Sequence, residues 1–218
     1  MRTIKVTGKG SIRIRPDMTR ITITLEGIYP EYSETLEHSA GDTNELKDIL
    51  EPFGFERSDL RTLSFNVDTE YESYREDDVY KQRFAGYKYT HQMKLEFDSD
   101  NDRLGRILYA LANCKLHPEF RLSYTVRDIE AVKNELLGKA VADSKEKAAV
   151  LTAAAGVSLG YIVSIDYSWG SSDYEISPMS RGIIADNLCL AKSAAYSVNI
   201  EPDDITAEDS VTVIWSIE

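Results

Sequence analysis

The stretch IEAVKNELLGKAVADSKEKAAVLTAAA, residues 129–155, decides the fold. Seven small or apolar residues recur at steps of three and four: Val132, Leu136, Ala140, Ser144, Ala148, Leu151 and Ala155. Leu137 and Val141 widen this stripe. This 3.6-residue period predicts an amphipathic helix of about seven turns. Asp128 suits the N-cap, and Gly156 suits the left-handed residue that follows the last turn. Because the apolar face is rich in alanine, we expect it to pack closely against a sheet.

Segments of alternating apolar and polar residues lie on both sides of this helix and predict its sheet partners. Residues 3–14 predict a strand with a bulge or bend at Gly8 and Gly10. The run Arg15-Pro16-Asp17 predicts a turn, and with it a hairpin into a strand around residues 21–25. Similar patterns predict strands at 63–71, 86–97, 120–126, 162–167, 196–200 and 211–217, and helices at 31–50 and 102–113.

The order of these elements predicts the α+β class, with mostly antiparallel sheets and helices packed on one side. No linker rich in proline, glycine or serine separates independent domains, so residues 1–218 are expected to form a single unit. Within it we expect two intertwined subdomains and one irregular insertion. Residues 1–85 with 194–218 form the first subdomain, 86–168 form the second, and 169–193 form the insertion.

Charge and hydropathy exclude several classes of partner. The net charge of −12, from 25 basic and 37 acidic residues, repels phosphate backbones, so we expect no nucleic-acid partner. No run of about 18 apolar residues is present, so we expect no transmembrane segment. The first residues alternate like a strand rather than forming an export signal. We therefore expect a cytoplasmic protein for the chain as given, and a periplasmic one if a leader has been removed.

No set of residues in the sequence has the spacing of a catalytic or metal site. The run from Gly8 to Ser11 lacks the spacing of a phosphate-binding loop, and a strand continues where such a loop requires a helix. The acidic run from Asp98 to Asp102 lacks the glycine and the glutamate of a calcium loop, so it predicts a helix cap. His38, His91 and His117 are isolated in the sequence. We expect no catalytic residue, no cofactor and no bound metal ion.

Two segments are better candidates for contact with another molecule. Residues 71–80 are acidic and rich in tyrosine, and residues 183–191 are apolar. Tyrosine is amphipathic and suits contact surfaces, although it is equally common within strands, so both readings stay open. The candidate contact residues are Tyr71, Tyr74, Tyr80, Ile183, Ile184, Leu188 and Leu190.

Short motifs spread along the chain together resemble the SIMPL-domain proteins. The motifs are Val6-x-Gly8-x-Gly10, Arg15-Pro16-Asp17-Met18, Gly86-Tyr87, Leu122-x-Tyr124-x-Val126, Lys147-Ala148, Leu159-Gly160 and Ile200-Glu201-Pro202-Asp203-Asp204-Ile205. Each motif is weakly specific, but their order and spacing cover nearly the whole chain. Two features depart from the family: the chain shows no export leader, and it has Asp203-Asp204 where relatives often have glycine.

The resemblance implies that the protein is not an enzyme, because no member of the family is an established enzyme. Bacterial members of the family are mostly of unknown function, and some are periplasmic, immunogenic or linked to oxidative stress. One periplasmic relative is similar to a hollow homo-oligomer. Our first hypothesis is therefore a non-enzymatic homo-oligomeric assembly protein, related to the envelope or to oxidative stress. The alternatives are a module that binds a protein or a small ligand through residues 71–80, and an unrecognised hydrolase or isomerase.

Overall fold

The computed structural model describes residues 2–76, 79–167 and 200–218. In chain order the elements are β1 (Arg2–Ile14), β2 (Met18–Tyr29), α1 (Tyr32–Leu50), a 3₁₀ turn (Glu51–Phe53), β3 (Arg61–Glu76), β4 (Val79–Asp98), α2 (Asn101–Asn113), β5 (Glu119–Thr125), α3 (Ile129–Ala155), β6 (Leu159–Asp166) and β7 (Ile205–Ile217). The strands form two antiparallel sheets, in the orders β1-β7-β6 and β3-β4-β2-β5. The predicted α+β class is confirmed.

Packing divides the described residues into two units. Unit 1 contains residues 2–17, 125–167 and 202–218, and unit 2 contains residues 18–76, 79–124 and 200–201. The subdomain boundary expected between residues 85 and 86 lies within β4. The expected insertion at 169–193 and most of the expected strand at 196–200 lie outside the described residues.

Unit 1 is built from β1, β7, β6 and α3. Strand β1 pairs with β7 without interruption, from Arg2 opposite Ile217 to Ile14 opposite Ile205. Of the bulge or bend expected at Gly8 and Gly10, the bulge is therefore wrong. The hairpin expected between β1 and β2 is also wrong, since β2 pairs with β4 in the other sheet.

Helix α3 has the predicted bounds and caps. The Asp128 carboxylate accepts a hydrogen bond from the Ala131 N–H at 2.8 Å, and Gly156 follows the helix with a left-handed φ of 71°. Its buried residues are separated by four throughout, and they are Leu136, Ala140, Ser144, Ala148 and Thr152. Residues four apart form a row that is inclined to the helix axis. The buried row therefore shifts around the helix along its length, and its last member is Thr152. The expectation that Leu151 and Ala155 belong to it is wrong, because both are exposed.

The glycines of β1 allow α3 to approach the strand. A Cβ atom at Gly8 would lie 1.9 Å from the Ala140 carbonyl oxygen, and one at Gly10 would lie 2.2 Å from that of Leu136. Ser144 fixes this contact, since its hydroxyl donates to the Val6 carbonyl at 3.3 Å and accepts from the Trp215 indole at 3.3 Å. Close backbone contact at Gly8 and Gly10 therefore adds to the packing of Val6 in one core cluster with Ala140 and Ala148.

Unit 2 packs its helices on one face of the second sheet. Helix α1 lies on β2 and β4, where alternate residues are buried. The core residues of these strands are Ile21, Ile23, Leu25, Tyr89, His91, Met93, Leu95 and Phe97. Asp100 caps α2 by accepting from the N–H groups of Asp102 and Arg103, which confirms the predicted helix cap. None of the helices in the described residues is long and apolar enough to cross a membrane.

Candidate interaction surface

The hairpin of β3 and β4 extends beyond the rest of its sheet. Pairing between β2 and β4 ends with Tyr29 opposite Tyr87, whereas β3 and β4 remain paired up to Glu76 opposite Val79. Residues 70–76 and 79–86 thus form a two-stranded extension, called the ribbon below. Within the described residues, the ribbon is held only by the hydrogen bonds between its own two strands. Isolated two-stranded hairpins are marginally stable in water.

A bulge marks the point at which the ribbon leaves the sheet. The register shifts between Glu70, which faces Gly86, and Tyr71, which faces Phe84. Gly86 has a φ of 148°, and a Cβ atom there would lie 2.5 Å from the Tyr29 carbonyl oxygen. A residue with a side chain would be strained in both respects, so glycine is required at this junction.

One face of the ribbon carries exposed aromatic rings. The rings of Tyr71 and Phe84 face each other across the strands with centroids 5.9 Å apart, and the Arg75 guanidinium lies 6.0 Å from the Tyr80 ring. The exposed fractions are 53% for Tyr71, 46% for Phe84 and 77% for Tyr80. We call this side of the ribbon the aromatic face.

The aromatic face continues along the sheet toward α1. The Phe84 ring lies 5.3 Å from the Tyr87 ring, which lies 5.5 Å from the ring of Tyr32 at the start of α1. Tyr32 is itself 50% exposed. A row of aromatic contacts therefore leads from the helix onto the ribbon.

The opposite side of the ribbon carries charge, and we call it the charged face. Glu72 and Arg83 form an ion pair across the two strands, and the hydrogen bond that Arg83 donates to the Glu72 carboxylate raises the pKa of Arg83. Arg83 also lies 5.7 Å from the Tyr74 ring. Both partners of the ion pair are exposed, so it adds little to stability and leaves the charges available to a partner.

The structure brings together part of the predicted contact set. Tyr71 and Tyr80 lie on the aromatic face and Tyr74 on the charged face, whereas Ile183, Ile184, Leu188 and Leu190 lie outside the described residues. The sequence prediction missed Phe84 and Val79, which is 56% exposed. Residues 79–84 read VYKQRF, with three consecutive polar residues, so apolar–polar alternation gave no signal for this part of β4.

Strand β6 of unit 1 is a second exposed surface. It forms one end of its sheet and pairs with β7 through an irregular register. Tyr161, Ile162, Val163 and Ile165 are between 41% and 63% exposed. The Ser216 hydroxyl accepts from the Tyr161 N–H at 2.8 Å, and thereby satisfies one backbone group where the pairing is irregular.

His91 lies beneath α1, and both of its ring nitrogens are hydrogen-bonded within the protein. His91 contacts the hydroxyl of Thr43 through Nδ1 at 3.0 Å and that of Thr62 through Nε2 at 2.9 Å. The Thr43 hydroxyl donates to the Ser39 carbonyl at 2.7 Å, so it accepts from a protonated Nδ1. Burial lowers the pKa of His91, and nearby Lys47 lowers it further. His91 is thus a neutral core residue.

Tyr89 is a second buried polar residue under α1. Its hydroxyl donates to the Asp42 carboxylate, and burial followed by this hydrogen bond raises the pKa of Tyr89. No group of three or more metal-ligating side chains is found among the residues that the structure describes. The exposed rings of Tyr71, Tyr80 and Phe84 make the ribbon our candidate functional surface.

Comparison with known proteins assigns the chain to a family. The family described as SIMPL, protein of unknown function (DUF541), matches residues 4–215. The chain belongs to the SIMPL family. The resemblance drawn from the sequence motifs is confirmed, and it now covers both units of this SIMPL protein.

Two relatives of this SIMPL protein have the name 26 kDa periplasmic immunogenic protein. They come from Brucella melitensis biotype 1 and Brucella abortus strain S19. Each is 26% identical over 217 residues, which is 99% of this chain and 84% of the relative. The match to the regulatory subunit of aspartate kinase from Thermus flavus has 13% identity and a TM-score of 0.17, and it covers 97% of this chain and 89% of that one.

Proposed function

We propose that this SIMPL protein is a non-enzymatic homo-oligomeric assembly protein in which the ribbon carries a contact between copies. The supporting observation is the exposure of Tyr71, Tyr80 and Phe84 on one face of a hairpin that extends beyond its sheet. Removal of a large apolar side chain from water contributes about 1.5–3 kcal/mol. A second copy that covered all three rings would therefore gain enough to offset part of the cost of association.

The exposed strand β6 supports the same proposal. An edge strand with apolar side chains on both faces is a template for pairing, and soluble monomers usually protect such edges with charge or with bulges. Here the irregular pairing of β6 lies on its β7 side, and Tyr161, Val163 and Ile165 remain exposed. Contact between copies would cover these side chains.

The non-enzymatic part of the proposal is supported by the state of the buried titratable groups. A catalytic acid or base must reach the substrate. The ring nitrogens of His91 and the hydroxyl of Tyr89 instead contact Thr43, Thr62 and Asp42 in the protein interior. These groups stabilise the contact of α1 with the sheet.

We further propose a place in the bacterial envelope, since both Brucella relatives are named as periplasmic proteins. The test is expression from the native gene with its full upstream reading frame, followed by osmotic-shock fractionation. Release with the periplasmic fraction supports the proposal, and retention with cytoplasmic markers overturns it. The stress-related role implied by the family resemblance stays a prediction.

Light scattering after gel filtration tests the assembly. We expect the wild-type chain at micromolar concentration to elute with a mass several times that of one chain. The variant with Tyr71→Ser and Phe84→Ser should shift toward the monomer, because the aromatic face loses the rings that contact each other at 5.9 Å. The control Tyr109→Ser changes a tyrosine that is 41% exposed on α2, and it should leave the mass unchanged. A monomeric wild-type chain overturns the proposal.

A protein-binding module is the second candidate, because tyrosine and arginine side chains are enriched at the energetic centres of protein interfaces. Arg75 and Arg83 each contact a ribbon tyrosine. This alternative predicts a monomer in isolation that captures a partner from the native cell extract. Capture should be lost with Tyr71→Ser and Phe84→Ser but retained with Tyr109→Ser.

A further inference from the structure

Strand β6 is the least charged of the edge strands that the structure describes. Its single charged side chain is Asp166, at its last position. At the other end of the same sheet, β1 carries only cations, and they are Arg2, Lys5, Lys9 and Arg13. In the second sheet, β3 carries six charged side chains, and the last four residues of β5 are buried. Charge protects a strand edge against contact with a second copy of itself, and β6 lacks this protection.

Helix α3 leaves one side of β6 uncovered. The helix packs mainly on β1 and β7. Ile162 lies opposite Trp215 and Ile165 lies opposite Val213, and both of these β7 residues belong to the core beneath α3. Ile162 and Ile165 therefore point to the same side of the sheet as α3. They are nevertheless 41% and 50% exposed, so the space beside α3 is open above β6.

The side chains of β6, rather than its backbone, are suited to contact with another molecule. Tyr161 and Val163 are exposed as well, and we call them together with Ile162 and Ile165 the β6 surface. The register with β7 shifts twice, between Leu159 and Ile162 and again between Ile162 and Ser164. Such irregularities bend a strand and interrupt a long ladder of backbone hydrogen bonds. Burial of the apolar side chains would therefore supply most of the attraction.

Charge favours a second copy of this chain as the molecule that covers the β6 surface. A net charge of −12 makes copies repel each other over most orientations. Between Leu159 and Ile165 no charged side chain is present, so two β6 strands can meet without opposing like charges. Contacts between identical surfaces about a two-fold axis are the commonest in homo-oligomers.

A two-fold axis through the middle of β6, perpendicular to the sheet, suits the positions of these side chains. The two β6 strands then run antiparallel, and the α3 helices of both copies lie on one side of the joined sheets. Ile162 of each copy lies beside Ile165 of the other on that side. The two Asp166 carboxylates lie at opposite ends of the contact, where they do not repel each other strongly.

We propose that the β6 surface is a two-fold self-contact, separate from the contact that the ribbon makes. This proposal rests on the proposed homo-oligomer and adds a second interface to it. The ribbon belongs to unit 2 and β6 to unit 1, so each chain carries two different contact surfaces. The β6 surface joins copies into pairs, and the ribbon joins these pairs into an assembly larger than a dimer.

Light scattering on variants of each surface separates the two contacts. The variant with Tyr71→Ser and Phe84→Ser should have the mass of a dimer, because the β6 contact is intact. Addition of Val163→Glu to this ribbon variant should raise the protein concentration needed for dimers by about tenfold or more, since two carboxylates meet near the axis. Val163→Glu alone should lower the mass below that of the wild-type assembly.

The masses also separate failure of the β6 contact from failure of the proposed function. A monomeric wild-type chain overturns both proposals. A wild-type oligomer with a monomeric ribbon variant overturns the β6 contact and leaves the ribbon contact standing, and so does an oligomer whose mass Val163→Glu leaves unchanged. A ribbon variant with the wild-type mass overturns the role of the ribbon and leaves the β6 contact standing.

A mixture of opposite charges controls for damage to the fold. In the ribbon variant, Val163→Glu and Val163→Lys should each weaken the dimer. An equal mixture of the two should recover it, because the axis places a carboxylate of one copy beside an ammonium group of the other. Each chain keeps its own substitution, so recovery cannot come from repair of the fold. If the mixture stays monomeric, the two-fold contact at Val163 is wrong.

A disulfide provides a second measurement at the same position. With Cys114→Ser and Cys189→Ser as the background, Val163→Cys should form a covalent dimer on mild oxidation. A disulfide requires Cα atoms about 4.4–6.8 Å apart, which the proposed axis allows. The control Val150→Cys changes a valine on α3 that is 64% exposed, and it should remain monomeric on a non-reducing gel. Equal cross-linking at both positions would overturn the β6 contact.

Discussion

Glycines of this chain have opposite roles at different positions. Gly8 lies where a Cβ atom would collide with the backbone of α3, 1.9 Å from the Ala140 carbonyl oxygen. Gly138 lies within α3 with open space around the position of a Cβ atom. Glycine is therefore required at the first position, and at the second it only weakens the helix.

We predict that Gly8→Ala and Gly138→Ala change stability in opposite directions. Gly8→Ala should lower the free energy of unfolding by roughly 1–3 kcal/mol, because α3 must move away from β1. Gly138→Ala should raise it by about 0.5–1 kcal/mol, because alanine restricts the unfolded chain and favours the helix. Urea denaturation followed by circular dichroism measures both. If both substitutions changed the free energy of unfolding equally, the close contact between α3 and β1 would be contradicted.

A second prediction at the residue scale concerns His91 and pH. Burial and Lys47 lower the pKa of His91, so the folded protein holds the neutral ring. The unfolded chain binds a proton near the ordinary value of about 6.5. The stability due to His91 is therefore complete above that pH and is lost as the pH falls toward the lower pKa of the folded state.

Urea denaturation at a series of pH values checks this. The free energy of unfolding of the wild type should fall below about pH 6.5 more steeply than that of the His91→Gln variant. Glutamine keeps one donor and one acceptor for the two threonine hydroxyls and does not titrate. Parallel curves for the two proteins would show that His91 does not contribute to the pH dependence.

At the scale of elements, α3 is defined by its ends as well as by its buried row. Its first turn is capped by the Asp128 carboxylate, and its last by the left-handed Gly156. Salt bridges at 2.7–2.9 Å join Lys139 to Glu135 and Lys147 to Asp143 along the helix. Exposed pairs of this kind contribute a few tenths of a kcal/mol, so the caps and the buried row matter more.

We predict that Asp128→Ala lowers the free energy of unfolding by about 1 kcal/mol, since a free N–H group remains at the start of α3. Asp128→Asn should keep most of the stability, because its side-chain oxygen can still accept from the Ala131 N–H. Thermal unfolding followed by circular dichroism compares the two variants. Equal losses would mean that the negative charge, rather than the hydrogen bond, stabilises the helix end.

At the scale of the whole molecule, charge limits the partners that the protein can bind. The chain carries 37 acidic and 25 basic residues, for a net charge of −12. On the charged face of the ribbon, Lys81 and Arg83 lie beside Glu70 and Glu72, so acidic residues adjoin the basic ones there. Long-range repulsion therefore opposes contact with polyanions.

We predict that the protein does not retard double-stranded DNA in a gel at moderate salt, even at tens of micromolar protein, because it lacks the counterion release that drives such binding. The variant with Glu70→Lys and Glu72→Lys is a matched comparison, since it enlarges the basic surface on the ribbon. Retardation of DNA by the wild-type chain would contradict the exclusion of nucleic acid as a partner.

The sequence by itself determined the elements of this protein. The period of residues 129–155, the cap at Asp128 and the glycine at 156 predicted α3 to the residue, because helix formation depends on near neighbours. Alternation predicted where the described strands lie for the same reason, but the predicted strands were shorter than β2, β3, β4 and β7. The family resemblance followed from motif order and is confirmed over residues 4–215.

Only the tertiary structure decided which elements meet. Strand β1 pairs with β7 at the far end of the chain instead of with β2 after the turn, and the local pattern contains no signal for that choice. The role of Gly8 and the extent of the aromatic face followed from the same long-range packing. Closing a longer loop adds little entropic cost, so a distant strand with complementary packing can displace a near one.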